Sequence, residues 1–391
     1  MSDRELGELE REARATPEDP EPAAALAHAL LRAGRTAEAR SWSVRAAERA
    51  LDDPQVWGAI TACATPLVVL PRHERTAMVV ATGSQVAAAR ALPFVAHPRP
   101  SLHPAWGLVA GFDPTRRWVG LLDLGRWERP RALALPERLV GHSLAFHGPA
   151  LYVGTNGERL LVLDLDHPEQ GWRSVGLPRE CFRWGKAIDA LVLDGDRLIA
   201  VDDIRTPRYS FLLDVRQPLQ PRLLSTSPLG DRGTVRHAAL GSTHLAVLSG
   251  CGGDRGPYDY VAFLRRSDLS EERCLAHAVC PGLFEPGSRG GTGTDHWWHD
   301  VAMLDSVALI AAGSDGLEVF DLRAPPRRDE RPRPVALGLP PGTEVLRVVR
   351  AEATGDSVVL ALGQEGARSK WPDDPPPCVG YRAVALSELG L

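Results

Sequence analysis

At 391 residues, with 44% hydrophobic and 24% charged side chains, the chain is long enough to bury a sizeable core and too apolar to be largely disordered. Its formal net charge of -5 argues against a protein that tracks nucleic-acid phosphates, since such binding needs clustered positive charge. Lys186 and Lys370 are the only lysines among many arginines, so a lone Arg is weak evidence of bidentate recognition.

The acidic stretch Met1–Leu9 precedes no apolar run, so no secretory leader is expected. No later segment approaches the ~20 apolar residues of a membrane helix, and the cytoplasm is the expected compartment. Cys63, Cys181, Cys251, Cys274, Cys280 and Cys378 form no Cys-x-x-Cys pair and read as packed free thiols.

Residues 1–62 are rich in Ala, Leu, Glu and Arg and form the expected helical segment. Breaks at Thr16–Pro20, Gly34–Thr36 and Asp52–Pro54 divide it into about four short helices. Leu26, Ala27, Leu30 and Leu31 share a stripe, while Ala39, Ala46, Ala47 and Ala50 let two helices approach closely. Leu26-Ala27, Gly34 at the turn, Ala39 and Ala46, and Pro54 opening the next unit resemble a tetratricopeptide repeat over roughly one and a half units. The large aromatics usual in that family are replaced by Leu30 and Ser43. A solenoid normally needs about three repeats to stand alone, so this segment is expected to pack on the rest of the chain or on a partner.

From residue 65 to 391 short aliphatic runs alternate with Gly, Asp and Pro, as closely spaced antiparallel strands require. Leu160–Leu165, Phe211–Val215 and Leu317–Leu322 repeat one unit, with Val119–Leu124 as an earlier copy. The copies recur at roughly 45 to 60 residues, close to the period of a four-stranded blade. The fold class expected is therefore mainly β: a β-propeller of about six blades, with seven as the alternative if 77–110 holds one more, behind a small α-helical segment. The strand at 66–71 is left over and is expected to complete the last blade and close the ring. The blades resemble divergent bacterial propellers with an LVIVD-like strand, notably Gly316–Leu322 preceded by Asp300-Val301-Ala302. They lack the Gly-His to Trp-Asp pairing of WD40 repeats, and Arg265–Asp268 replaces one Asp-bearing strand end. The resemblance implies a scaffold and no particular reaction.

Loops joining strands two and three, and strand four to the next blade, leave on one face. The long connections Pro178–Lys186, Gly250–Tyr258, Pro281–Trp297 and Gln364–Pro377 all fall there, and long loops on a rigid scaffold are where binding resides. The densest chemistry is Asp295-His296-Trp297-Trp298-His299-Asp300. His296 and His299 can ligate a divalent metal with Asp295 or Asp300, and His142 or His237 at analogous strand entries can add a ligand. The favoured reading of the cluster is that Trp297 and Trp298 pack between blades, with the histidines bonded to backbone. Lys186, after Trp184-Gly185, is a candidate for a desolvated amine at the channel mouth, or simply a solvated lysine. Trp184, Trp297 and Trp298 are also candidates to enclose a small polar ligand. Asp202-Asp203 and Asp373-Asp374 are paired acids of unfixed separation, whereas the recurring Asp164, Asp214 and Asp321 read as turn residues. The glycine-rich 250–256 and 288–294 lack the Gly-Lys-Ser/Thr ending of a phosphate loop.

These features lead to a non-catalytic protein-interaction scaffold or adaptor in a multiprotein complex, with no nucleic acid or membrane partner and no cofactor. The alternative is a metal-assisted hydrolase or lyase at the channel mouth, where a divalent metal is the one candidate cofactor.

Overall fold

The computed structural model describes residues 3–391 except 51–52, 54–55, 57–58, 60–66, 73–74, 83–84, 96–99, 104–105, 125–129, 157–158, 179–180, 182–186, 203–207, 230–233, 254–255, 279–297, 324–330, 351–356 and 365–377. Helices α1 (Asp3–Ala15), α2 (Pro20–Arg32) and α3 (Thr36–Ala50) open the chain. Asp19 caps α2 by accepting the Glu21 N–H at 3.0 Å, with Pro20 in the first turn. Gly34, at φ 75°, reverses the chain so that the Arg35 N–H donates to the Leu30 carbonyl at 2.9 Å. Leu26, Ala27, Leu30, Ala39, Val44 and Ala46 form the buried seam between the helices.

Seven antiparallel sheets follow. The first holds β1 (Leu67–Arg72), β2 (Arg75–Thr82) and β3 (Gln85–Val95); the second holds β4–β7 (Ser101–His103, Leu108–Phe112, Trp118–Asp123, Arg131–Ala134). The third holds β8–β11 (Gly141–His147, Ala150–Thr155, Arg159–Asp164, Arg173–Gly176) and the fourth β12–β15 (Ile188–Asp194, Arg197–Asp202, Arg208–Asp214, Arg222–Leu229). The fifth holds β16–β19 (Thr234–Leu240, His244–Gly253, Gly256–Arg265, Glu271–Ala278) and the sixth β20–β23 (Asp300–Leu304, Val307–Ala311, Leu317–Asp321, Arg333–Val335). The seventh holds β24–β26 (Thr343–Arg350, Ser357–Gln364, Cys378–Ala385). The first strand of each sheet touches the first strand of the next, and β24 closes on β1, so the sheets are blades of a β-propeller.

One expectation resolves to its alternative and one is corrected. The described residues form seven sheets, the alternative to six, because the span 77–136, which reads as one blade, contains parts of two sheets. The Ala-rich β3 and the three-residue β4 lack the aliphatic alternation from which strands are read. The strand β1 pairs with β2, Leu67 opposite Val80 and Arg72 opposite Arg75, and so opens its own blade instead of completing the last one.

The recurring Asp-Leu unit has a structural reason. Asp164, Asp214 and Asp321 each accept the backbone N–H two residues on, at 2.9–3.0 Å. The residue after the Asp donates its N–H at 2.8 Å to the turn between strands one and two: Leu124 to Gly107, Leu165 to Pro149, Val215 to Asp196 and Leu322 to Ser306. One motif thus ends the third strand and ties it to the neighbouring hairpin.

Candidate functional site

The entrances of the inner strands converge on one face of the ring. There the register of four blades shifts by one residue, leaving His142, Asp189, Arg236 and Leu346 at bulges between paired neighbours. A bulge bends its strand and re-aims the extra side chain. His142 Nδ1 consequently lies 2.7 Å from Asp189 Oδ1 of the next blade, both only partly exposed. Beside them the Ser143 hydroxyl donates to the Ile188 carbonyl at 2.7 Å.

Blades five and six are joined by a buried acid. Asp259 accepts the Trp298 N–H at 2.7 Å and pairs with Arg236 at 3.0 Å, and Arg236 also donates to the Trp298 carbonyl at 3.1 Å. Burial pushes the Asp259 carboxyl up to about 6, against the opposing influence of Arg236 and the Trp298 N–H. The Trp298 indole is buried and donates to Glu318 at 2.9 Å. Burial raises the Glu318 carboxyl above its ordinary value despite that bond. Blades six and seven are joined by Arg347, which donates to the His299 carbonyl at 2.7 Å, and by Asp300, which accepts the Val348 N–H at 2.9 Å. His237 Nε2 stands 4.0 Å from the other oxygen of Asp300.

Of the residues expected at a site, His237, Trp298 and His299 are described and meet at this mouth. Trp184, Lys186, Asp295, His296 and Trp297 lie outside the described residues. Trp298 packs between blades with Phe263, Ile310 and Phe320. The bulge register aligns His142 with Arg236, not with His237, whose counterpart in the third blade is Ser143. Among the described residues no three His, Cys, Asp or Glu side chains come together as a metal would require. Within the 250–258 stretch, expected as a long loop, residues 250–253 and 256–258 are strand: β17 and β18 stay paired out to Gly253 opposite Gly256. Asp202, one of the paired acids, is fully buried and accepts the Tyr209 N–H at 2.6 Å.

Arg236, Asp259, Asp189 and Arg347 escape a reading of sequence. Their partners lie in other strands or blades, and the available signal is positional: His142 and Asp189 stand at the second residue, and Arg236 at the third, of an inner-strand entrance. Below the mouth, six inner strands enclose a channel of about 730 Å³, walled by residues such as Leu144, Leu191, Leu240, Val301 and Val348, with His237 as a polar side chain in the wall.

No family model and no curated protein matches the sequence. Among solved structures the chain is similar to U3-55K, with TM-score 0.51 and 12% identity over 82% of this chain and 98% of that one. It is also similar to the WD40 β-propeller domain of Doa1 (TM-score 0.47, 10% identity, 81% and 88% covered) and to BBS1N, solved in complex with ARL6DN (TM-score 0.46, 12% identity, 81% and 91% covered). Among the described residues no helix is long and apolar enough to cross a membrane. At such identities the likeness to U3-55K is one of fold alone, and the fold is a seven-sheet β-propeller carrying a helical segment at its start.

Proposed function

We propose that the chain is a non-catalytic protein-interaction scaffold or adaptor of the cytoplasm. In this reading the face where the inner strands begin and the tetratricopeptide-like helical segment, residues 1–62, are its two docking surfaces. One observation carries it: the charged groups at the mouth are ties between blades. Asp259 and Arg236 hold Trp298, Asp300 holds Val348, and Arg347 holds His299. A ring stitched in this way is a rigid support, and recognition falls to the connections it displays. The helical segment carries twelve acidic and eight basic residues over positions 1–60, a net -4 that suits a basic partner surface.

Cross-linking mass spectrometry of the natively purified full chain tests this. The scaffold reading expects a stoichiometric protein partner cross-linked to the helical segment or to the mouth face. A stoichiometric metal, with turnover that disappears in a His296→Ala/His299→Ala double variant, would replace it with the metal-assisted hydrolase or lyase. That second reading draws on the His142–Asp189 pair, since a carboxylate on Nδ1 fixes the imidazole tautomer used in proton transfer and metal binding.

A further inference from the structure

Blade five breaks the motif that its neighbours keep. Arg266 donates its N–H to the Thr243 carbonyl at 2.8 Å, the same tie made by Leu124, Leu165, Val215 and Leu322 elsewhere. Arg265 and Arg266 therefore occupy the positions of the Asp and the aliphatic residue. Those two are displaced rather than lost: Asp268 accepts the Ser270 N–H at 2.9 Å, and Leu269 is fully buried. The displacement leaves Leu269 at φ 58°, a left-handed conformation that a branched side chain adopts only under strain. Arg265-Arg266-Ser267 is thus an insertion that puts two guanidiniums where blades two, three, four and six put a carboxylate and an aliphatic side chain. A local rule kept by the blades on either side and broken here by inserted arginines, with strain at Leu269, points to function.

The insertion lines a cavity of about 560 Å³ on the face opposite the mouth, together with Arg197 from blade four and Ser242-Thr243-His244 from the first turn of blade five. Arg266 is aimed by the Asp194 carboxylate and by the Ser242 carbonyl at 3.1 Å. Glu272 is bonded by Arg265 at 2.9 Å and by His244 at 3.3 Å, so its charge is already countered. Arg197 is exposed and makes no ion pair or side-chain hydrogen bond among the described residues. Three guanidiniums thus line a cavity beside the Asp194 and Glu272 carboxylates, with Asp268 also acting on Arg265; the cavity presents the Ser267 hydroxyl, while that of Thr243 is bonded to His244 and Ser306. Arginine forks match phosphate oxygens bidentately, and hydroxyls donate to the oxygens left over.

We propose that this cavity binds a small phosphate monoester, gripped by Arg197 and Arg265 with Arg266 held in place by Asp194. Calorimetric titration of the full chain with glycerol 3-phosphate and with phosphoserine tests it. Saturable binding of at least one is expected, and the tighter of the two identifies whether a polyol or a serine side chain carries the phosphate. Arg197→Glu, at an exposed position with no ion pair or side-chain hydrogen bond among the described residues, should weaken that binding by at least about tenfold while leaving the unfolding midpoint unchanged. Failure of both monoesters to saturate the unaltered chain, or equal binding by the Arg197→Glu variant, would overturn the proposal.

Discussion

Asp259 behaves unlike most carboxylates of a folded protein. Its value of about 6 stands above the ~4 of a free Asp, so the folded chain holds this proton more tightly than the unfolded one. Its contribution to stability is therefore complete below about pH 4 and is lost as pH rises through about 6. Relative to an Asp259→Asn variant, the unaltered chain should lose about 1–3 kcal/mol between about pH 4 and pH 7. Urea unfolding of both at the two ends of that range decides it, and a difference that does not change with pH refutes the assignment. Its neighbour supplies a second test. Trp298→Phe keeps the ring in the inter-blade core but takes the indole N–H from partly buried Glu318, which should cost about 1–3 kcal/mol at neutral pH. Equal stability of that variant would show that the bond contributes nothing. The sequence displays Trp298 and His299 as a dense polar-aromatic cluster, and the alternative of packing between blades describes Trp298 well. It does not display Asp259 or Arg236, because an acid in the third strand of blade five acquires meaning only when the next blade brings a backbone N–H against it.

At the scale of the strand, the Asp-Leu unit is readable because one hydrogen-bonding need recurs in several blades and selects the same two residue types each time. Blades one and two are harder to read, since their contact is made by absent side chains. The Phe94 ring of β3 lies so close over β5 and β6 that a methyl group on Gly111 would fall 2.3 Å from Phe94 Cγ, and one on Gly120 2.6 Å from Phe94 Cε1. Glycine at these positions admits the aromatic ring, yet in the sequence it looks like a turn signal or a weak strand. Gly111→Ala should destabilise the chain by about 1–3 kcal/mol through overpacking. The loss should shrink in a Phe94→Leu background, and an additive double variant by denaturant titration would mean that the two residues do not press on each other.

Across the whole molecule, the ring has a seam between the two blades that hold three strands among the described residues. There Ala77 and Val79 of the first blade pack against Leu346, Val359 and Ala383 of the last. The first blade stops at β3, and α3 packs against that strand, covering an edge which would otherwise offer unpaired backbone to other chains. The helices have too few units to bury their apolar seam alone, and the blade has too few strands to cover its outer edge. One contiguous core meets both needs, running from Leu26 and Leu30 through Leu92 and Phe94 to Val109 and Leu122. Helices and propeller should therefore unfold together. Leu30→Ala in α2 and Leu92→Ala in β3, at sites 2% and 1% exposed, should each lower the same single transition by about 2–5 kcal/mol. Far-ultraviolet circular dichroism and tryptophan fluorescence should follow coincident curves in both variants. Two resolved transitions, with Leu30→Ala shifting only the first, would instead make the helical segment an independent module resting on the blade.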